Sequence, residues 1–263
     1  MMKDDAFESI LSFKNQVVLI TGGASGIGRA AVEMYAKSGA SVVFADVNVK
    51  RAIEVVESAQ ELMLDVHFIE ADVSSAVGCE ELVNFAHTKY GKIDILYNNA
   101  GIEIAVPMFR MTENDYDKIF NVNVKSVFLC CKAVLPHMMN RRHGVIINTA
   151  SVAADRAWPN DVVYSATKAA IKLMTQGMAV EYASFGIRVN SVAPGVVDTP
   201  MTDFALKDHP CLEIAKREKG LVHPLGRLVR PEEVVRAAMY LSSPDSAFVS
   251  GVMLPIDGAL LAG

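Results

Sequence analysis

Short runs of apolar, often β-branched residues alternate along this chain with longer segments whose apolar positions recur at helical spacing. The runs at 17–21, 41–46, 66–70, 93–98, 144–150, 187–193 and 252–256 are predicted strands. Most are nearly continuous in apolar character rather than alternating, as expected of strands buried on both faces of a parallel sheet. The segments at 26–38, 50–63, 79–90, 113–139, 162–185 and 231–242 are predicted amphipathic helices. Parallel strands need crossovers of this kind, normally right-handed. The expected architecture is one α/β domain over residues 1–263, a doubly wound parallel sheet of about seven strands with helices on both faces. The least regular stretch carries Pro200, Pro210, Gly220, Pro224 and Gly226. It is expected to be a substrate lid at about 199–229.

Composition narrows the function. Half of the 263 residues are hydrophobic (51%) and 21% are charged, which excludes global disorder. The net charge of −5 lacks the basic surplus of a nucleic-acid partner. No uninterrupted apolar run approaches the roughly 20 residues of a membrane span. The first residues are acidic where a secretory signal is basic. A cytoplasmic protein without membrane or nucleic-acid partners is expected. The cysteines Cys79, Cys130, Cys131 and Cys211 form no CxxC pair and are expected to be buried or semi-buried free thiols. The histidines show no HxxxH or HExxH spacing, so no metal site is expected.

The first strand runs into Thr21, Gly22, Gly23, Ala24, Ser25, Gly26, Ile27 and Gly28, after which a helix is predicted. A glycine-rich turn at a helix N-terminus lets free N–H groups and the helix dipole meet a diphosphate. Asp46 closes the second strand, where a carboxylate can accept hydrogen bonds from both hydroxyls of an adenosine ribose. It also repels a 2′-phosphate, and position 25 is Ser rather than a basic residue. Lys50 and Arg51 lie nearby but are expected to face solvent. NAD is therefore expected over NADP. Asp72, followed by Val73, comes after the third strand; it can either bond the adenine amino group or cap the next helix.

Four further motifs follow in order: Asn98, Asn99, Ala100 and Gly101 at the end of strand four; Asn123 on the long helix; Ser151 after strand five; and Tyr164 with Lys168. Pro194, Gly195, Val197 and Thr199 end strand six. Tyr164 and Lys168 stand four apart and share one helix face. A tyrosine pKa near 10 is too high for a base at neutral pH unless a neighbouring cation stabilises the phenolate. Tyr164 can then exchange a proton with an alcohol or carbonyl oxygen.

Together these motifs resemble the short-chain dehydrogenases/reductases of the 250-residue type, from about Val17 to Gly258. The resemblance implies a Rossmann-type fold, a nicotinamide cofactor and a homotetramer. It implies Tyr164 as general acid/base and Ser151 as the residue that orients the substrate oxygen. It implies Lys168 on the nicotinamide ribose and Asn123 holding a water that links Lys168 to solvent. It places Asn99, Ala100 and Gly101 along the adenine ribose, and Val197 and Thr199 on the carboxamide. Stretches around Glu103, Trp158 and Thr199 are similar to a subgroup that includes dihydroanticapsin dehydrogenase. Glu103, if it faces the pocket, suits a hydroxyl or ammonium group; otherwise it is an exposed loop acid. Trp158 either stacks on a substrate ring or packs.

The expected activity is hydride transfer between NAD(H) and a secondary alcohol or ketone. Alternatives are an NADP-linked 3-oxoacyl-carrier-protein-type reductase, against which Asp46 argues, and a non-catalytic NAD-sensing protein. Loss of Tyr164, Lys168 or Ser151 would point to the sensor; all three are present.

Overall fold

The computed structural model describes residues 11–263. The reading of the extreme N-terminus, as far as it concerns residues 1–10, lies outside them. Seven parallel strands form one sheet in the order β3-β2-β1-β4-β5-β6-β7. In chain order these are β1 (Val17–Thr21), β2 (Ser41–Asp46), β3 (Val66–Glu70), β4 (Ile95–Asn98), β5 (Gly144–Thr149), β6 (Ile187–Pro194) and β7 (Met253–Ile256). The strand direction of growth reverses between β1 and β4. In open α/β sheets ligands bind at the C-terminal ends of the strands at such a switch.

The continuous apolar runs are explained by burial on both faces. Val18 and Ile20 of β1 join one core with Val42, Phe44, Val234 and Val235. Their neighbours Val17 and Leu19 join a second core with Val43, Leu82, Val134 and Ile171. The first core is closed by α1 (Gly26–Lys37), α2 (Val49–Glu61) and α9 (Pro231–Ser242). The second is closed by α3 (Ala76–Tyr90), α5 (Ser126–Arg141) and α6 (Val162–Tyr182). β7 is an edge strand, which is where Pro255, lacking an N–H, is tolerated.

Several expectations need correction. The single helix over 113–139 is α4 (Glu113–Phe120), a π-helical turn (Asn121–Lys125) and α5. Its 29 residues, with mean hydropathy 1.3 in the most apolar window, are long and apolar enough to cross a bilayer. However, Val127, Cys130, Cys131, Val134 and Met138 are instead buried within the second core. The stretch expected to be irregular contains α7 (Pro200–Ala205) and α8 (Leu212–Gly220). Pro200 occupies the first turn of α7, where its missing N–H costs nothing. α3 begins earlier than expected, at Ala76, because Ser75 caps it by accepting from the Gly78 N–H at 3.1 Å. β4 and β7 begin at Ile95 and Met253, and β5 ends at Thr149. Of the four thiols, Cys211 is exposed rather than buried.

Candidate active site

A cavity of about 830 Å³ opens along the C-terminal ends of the strands. It is lined by Gly22, Ser25, Gly26 and Ile27 of the first turn and by Asp46, Asp72 and Val73 after the next strands. Asn99, Ala100, Gly101 and Glu103 after β4 also reach it, as do Ser151, Trp158, Tyr164 and Lys168. Pro194, Gly195, Val197 and Thr199 complete the set. Thus most of the residues singled out in the sequence meet in one space. Gly28 and Asn123 are not on its wall and act from behind it.

Gly28 permits a close approach. A Cβ at this position would stand 1.9 Å from the Gly22 carbonyl oxygen, so only glycine lets α1 start this close to the end of β1. Gly26 lies under the far side of the cavity. A Cβ there would come within 3.1 Å of the Thr199 methyl group, and its φ of 53° also favours glycine. Thr21 Oγ1 accepts from the N–H groups of Asn99 and Ala100, each at 3.0 Å, and joins β1 to the β4 loop. The result is a backbone-lined cradle at a helix N-terminus, which fits a dinucleotide diphosphate.

Asp46 lies on the wall. Its two oxygens accept from the Ala24 N–H at 2.9 Å and the Asn48 N–H at 2.8 Å, which fixes the carboxylate and leaves further lone pairs. Lys50 and Arg51 are exposed on α2 and do not line the cavity. Asp72 is at the rim, its Oδ1 accepting from the Ser74 N–H at 2.9 Å. Capping of α3 is the work of Ser75 rather than Asp72.

At the other end, Lys168 is buried and its Nζ donates to the Thr149 carbonyl at 2.9 Å. That nitrogen stands 5.6 Å from the centre of the Tyr164 ring. Burial lowers the Lys168 ammonium to about 8, with Glu103 opposing the shift. Burial raises the Tyr164 hydroxyl well above its ordinary value; Glu103 and Asp161 add to this, and a hydrogen bond with Ser151 works against it. The protein alone therefore keeps the proton on Tyr164 at neutral pH. The ammonium sits over the ring face, and burial is the largest cause of the shift.

Asn123 is fully buried in the π-helical turn. Its Oδ1 accepts from the Ile102 N–H at 2.8 Å, and its Nδ2 donates to the Ile102 carbonyl at 2.9 Å and to Thr167 Oγ1 at 3.1 Å. It thus pins the segment after Gly101, which explains a polar residue in mid-helix. Trp158 lines the cavity, with the Arg156 guanidinium 5.0 Å from its ring centre. Arg156 also donates to the Leu260 carbonyl at 3.0 Å, while Asp155 pairs with Lys172.

Sequence reasoning missed three residues. Asp161 and Lys219 line the cavity beside Glu103. His223 is buried; its Nε2 accepts from the Val196 N–H at 3.0 Å and its Nδ1 lies 2.8 Å from the Arg227 carbonyl. That pattern requires the neutral ring with the proton on Nδ1, and it holds the segment following β6 in place. A signal for His223 was present only as a histidine in a Pro/Gly-rich stretch, which carries no direction.

Comparison with known proteins agrees with this geometry. A family model described as short chain dehydrogenase matches residues 16–209. The 3-oxoacyl-(acyl-carrier-protein) reductase of Thermotoga maritima is 38% identical over 252 residues, covering 95% of this chain and all of that protein. The cyclopentanol dehydrogenase of Comamonas sp. is 35% identical over 250 residues, covering 94% of this chain and 98% of its own. The crystal structure of levodione reductase superposes with a TM-score of 0.90 at 35% identity, covering 95% of this chain and 99% of that one. With the family model spanning most of the chain and these relatives covered over nearly their whole length, the chain belongs to the short-chain dehydrogenase family.

Proposed function

We propose that this oxidoreductase moves a hydride between NAD(H) and a secondary alcohol or ketone, with Tyr164 as the group that exchanges the proton. The convergence of Ser151, Tyr164 and Lys168 on the cavity that also holds Asp46 carries the reading. The nicotinamide cofactor, when bound, gives or takes the hydride. Gly22, Ser25, Gly26 and Ile27 hold the diphosphate, Asp46 accepts from the adenosine ribose, and Asp72 and Val73 flank the adenine. Asn99, Ala100 and Gly101 follow the adenine ribose, and Pro194, Gly195, Val197 and Thr199 the nicotinamide end. Ser151 orients the substrate oxygen and Tyr164 donates to it or accepts from it. Lys168 has donor capacity beyond its bond to Thr149 and serves the nicotinamide ribose. Asn123 fixes the β4 loop that flanks them. Segment 199–229, with α7 and α8, acts as the lid.

Asp46, exposed Val47 beside it and Ser25 supply no cation for a 2′-phosphate, which supports NAD. The assay is NADH formation, read by absorbance, over secondary alcohols, cyclic polyols and sugars, in parallel with NADP. Turnover with NADP alone would overturn the cofactor assignment. A second reading, an NADP-linked reductase of acyl-carrier ketones, draws on the Thermotoga maritima relative. It is tested by NADPH oxidation with an acetoacetyl thioester. Exposed Phe128 on α5 and Leu173 and Val180 on α6 suit a homotetramer, which light scattering would size. A cytoplasmic location belongs to the same reading.

A further inference from the structure

The cavity wall carries charged side chains that hydride transfer does not use, among them Glu103, Asp161 and Lys219. They come from the loop after β4, the turn before α6 and the last turn of α8. The Val106 N–H donates to the Asn160 carbonyl at 3.0 Å and straps the first two segments together. There the Glu103 and Asp161 carboxyl groups line the same stretch of the cavity and act on each other electrostatically. Asp161 Oδ1 is enclosed and has no fixed hydrogen-bond partner.

Burial raises both carboxyl groups above their ordinary range, and Lys219 opposes the shift in each. Two carboxyl groups and the Lys219 side chain thus share one part of the wall, which is rich in acceptors. Both carboxyl groups also act electrostatically on Tyr164, so they are close to the reacting end of the cavity. Met201, Ala205, Leu206 and Val222 supply an apolar wall to the same space.

We propose that Glu103 and Asp161 are specificity-determining residues that accept a hydrogen bond from a second hydroxyl group of the substrate, so that the preferred substrate is a diol rather than a simple alcohol. This rests on the function proposed above. Lys219 on the same wall repels an ammonium group, whereas a substrate without any donor leaves buried acceptors unpaired.

The test compares cyclohexane-1,2-diol, 2-aminocyclohexanol and cyclohexanol as substrates with NAD, for the wild-type protein and the variants Glu103→Gln and Asp161→Asn. The wild-type kcat/KM for the diol is expected to exceed that for each of the other two by roughly tenfold or more. Each variant is expected to reduce the diol-to-cyclohexanol ratio by a similar factor, mainly through the KM for the diol. An unchanged ratio in both variants, or a wild-type preference for cyclohexanol or for the amino alcohol, would overturn the proposal. If the wild-type protein oxidises none of the three, the alcohol-oxidoreductase reading fails. The subsite is then decided by calorimetry of the same compounds. Tighter diol binding that is lost in Glu103→Gln supports it, and equal binding of diol and cyclohexanol overturns it.

Discussion

The Lys168 ammonium stands 5.6 Å from the centre of the Tyr164 ring and is anchored to the Thr149 carbonyl at 2.9 Å. The lysine therefore addresses the ring face and the cavity and leaves the tyrosine hydroxyl free for a substrate oxygen. Since burial keeps that hydroxyl protonated, alcohol oxidation is expected to rise with pH and carbonyl reduction to fall. Tyr164→Phe removes the proton carrier and almost no volume. Turnover is expected to fall by about 10²–10⁴-fold, with NAD affinity within a few-fold. Steady-state rates and calorimetry check both; retained turnover would exclude the mechanism.

In the proposed function, Asp46 sets cofactor choice through charge. Asp46→Asn keeps the shape and the acceptor for one of the two backbone N–H groups while removing the repulsion toward a 2′-phosphate. The kcat/KM ratio of NADP to NAD is expected to rise by roughly tenfold. An unaltered ratio would mean that the carboxylate does not face the ribose.

His223 is a positioning residue. Its Nε2 fixes the Val196 N–H, and Gly195 packs so closely that a Cβ there would stand 2.3 Å from the same nitrogen. His223→Leu leaves that N–H unpaired and is expected to raise the KM for NAD several-fold more than it changes kcat. An equal fall in both with a lower melting temperature would indicate a structural role only.

Glu233 caps α9 by accepting from the Arg230 N–H at 2.8 Å and pairs bidentately with Arg227 at 2.7 and 2.8 Å. The hydrogen bond from Arg227 holds its carboxyl at about 2, well below the usual range. A lowered native pKa gives stability that is present above the unfolded value and is lost as pH falls toward the native one. Glu233→Gln is expected to cost about 1 kcal/mol at neutral pH, the usual worth of a cap. The gap to wild type should narrow as the pH falls from about 5 to 3, as urea midpoints would show.

The sheet was legible because its inner strands are apolar on both faces. Val17 to Ile20 can satisfy two cores only in a doubly covered sheet. The candidate residues Ser151, Tyr164 and Lys168 were legible because the first follows a strand end and the other two stand one helical turn apart. The π-helical turn at Asn121–Lys125 was not, because apolar spacing runs through it unbroken and only the Ile102 backbone reveals what Asn123 does. α7 and α8 were hidden because proline reads as a breaker until its place in the first turn is known. Asp161 and Lys219 look like ordinary charges at helix ends; the Val106–Asn160 strap brings the first to Glu103, and the return of α8 over the cavity brings the second.

Gly26, where a Cβ would stand 3.1 Å from the Thr199 methyl group, sets the turn after β1 close against the first residue before α7. Lys216 of α8 in turn grips Asp198 at 2.8 Å and Asp203 at 2.7 Å, so α7 and α8 are both fastened to this one junction. A dinucleotide lying across Gly26 would brace the junction from beneath. Susceptibility of the 199–229 backbone to a protease then becomes a gauge of cofactor occupancy. Cleavage should slow in step with saturation by NAD, without any turnover being required.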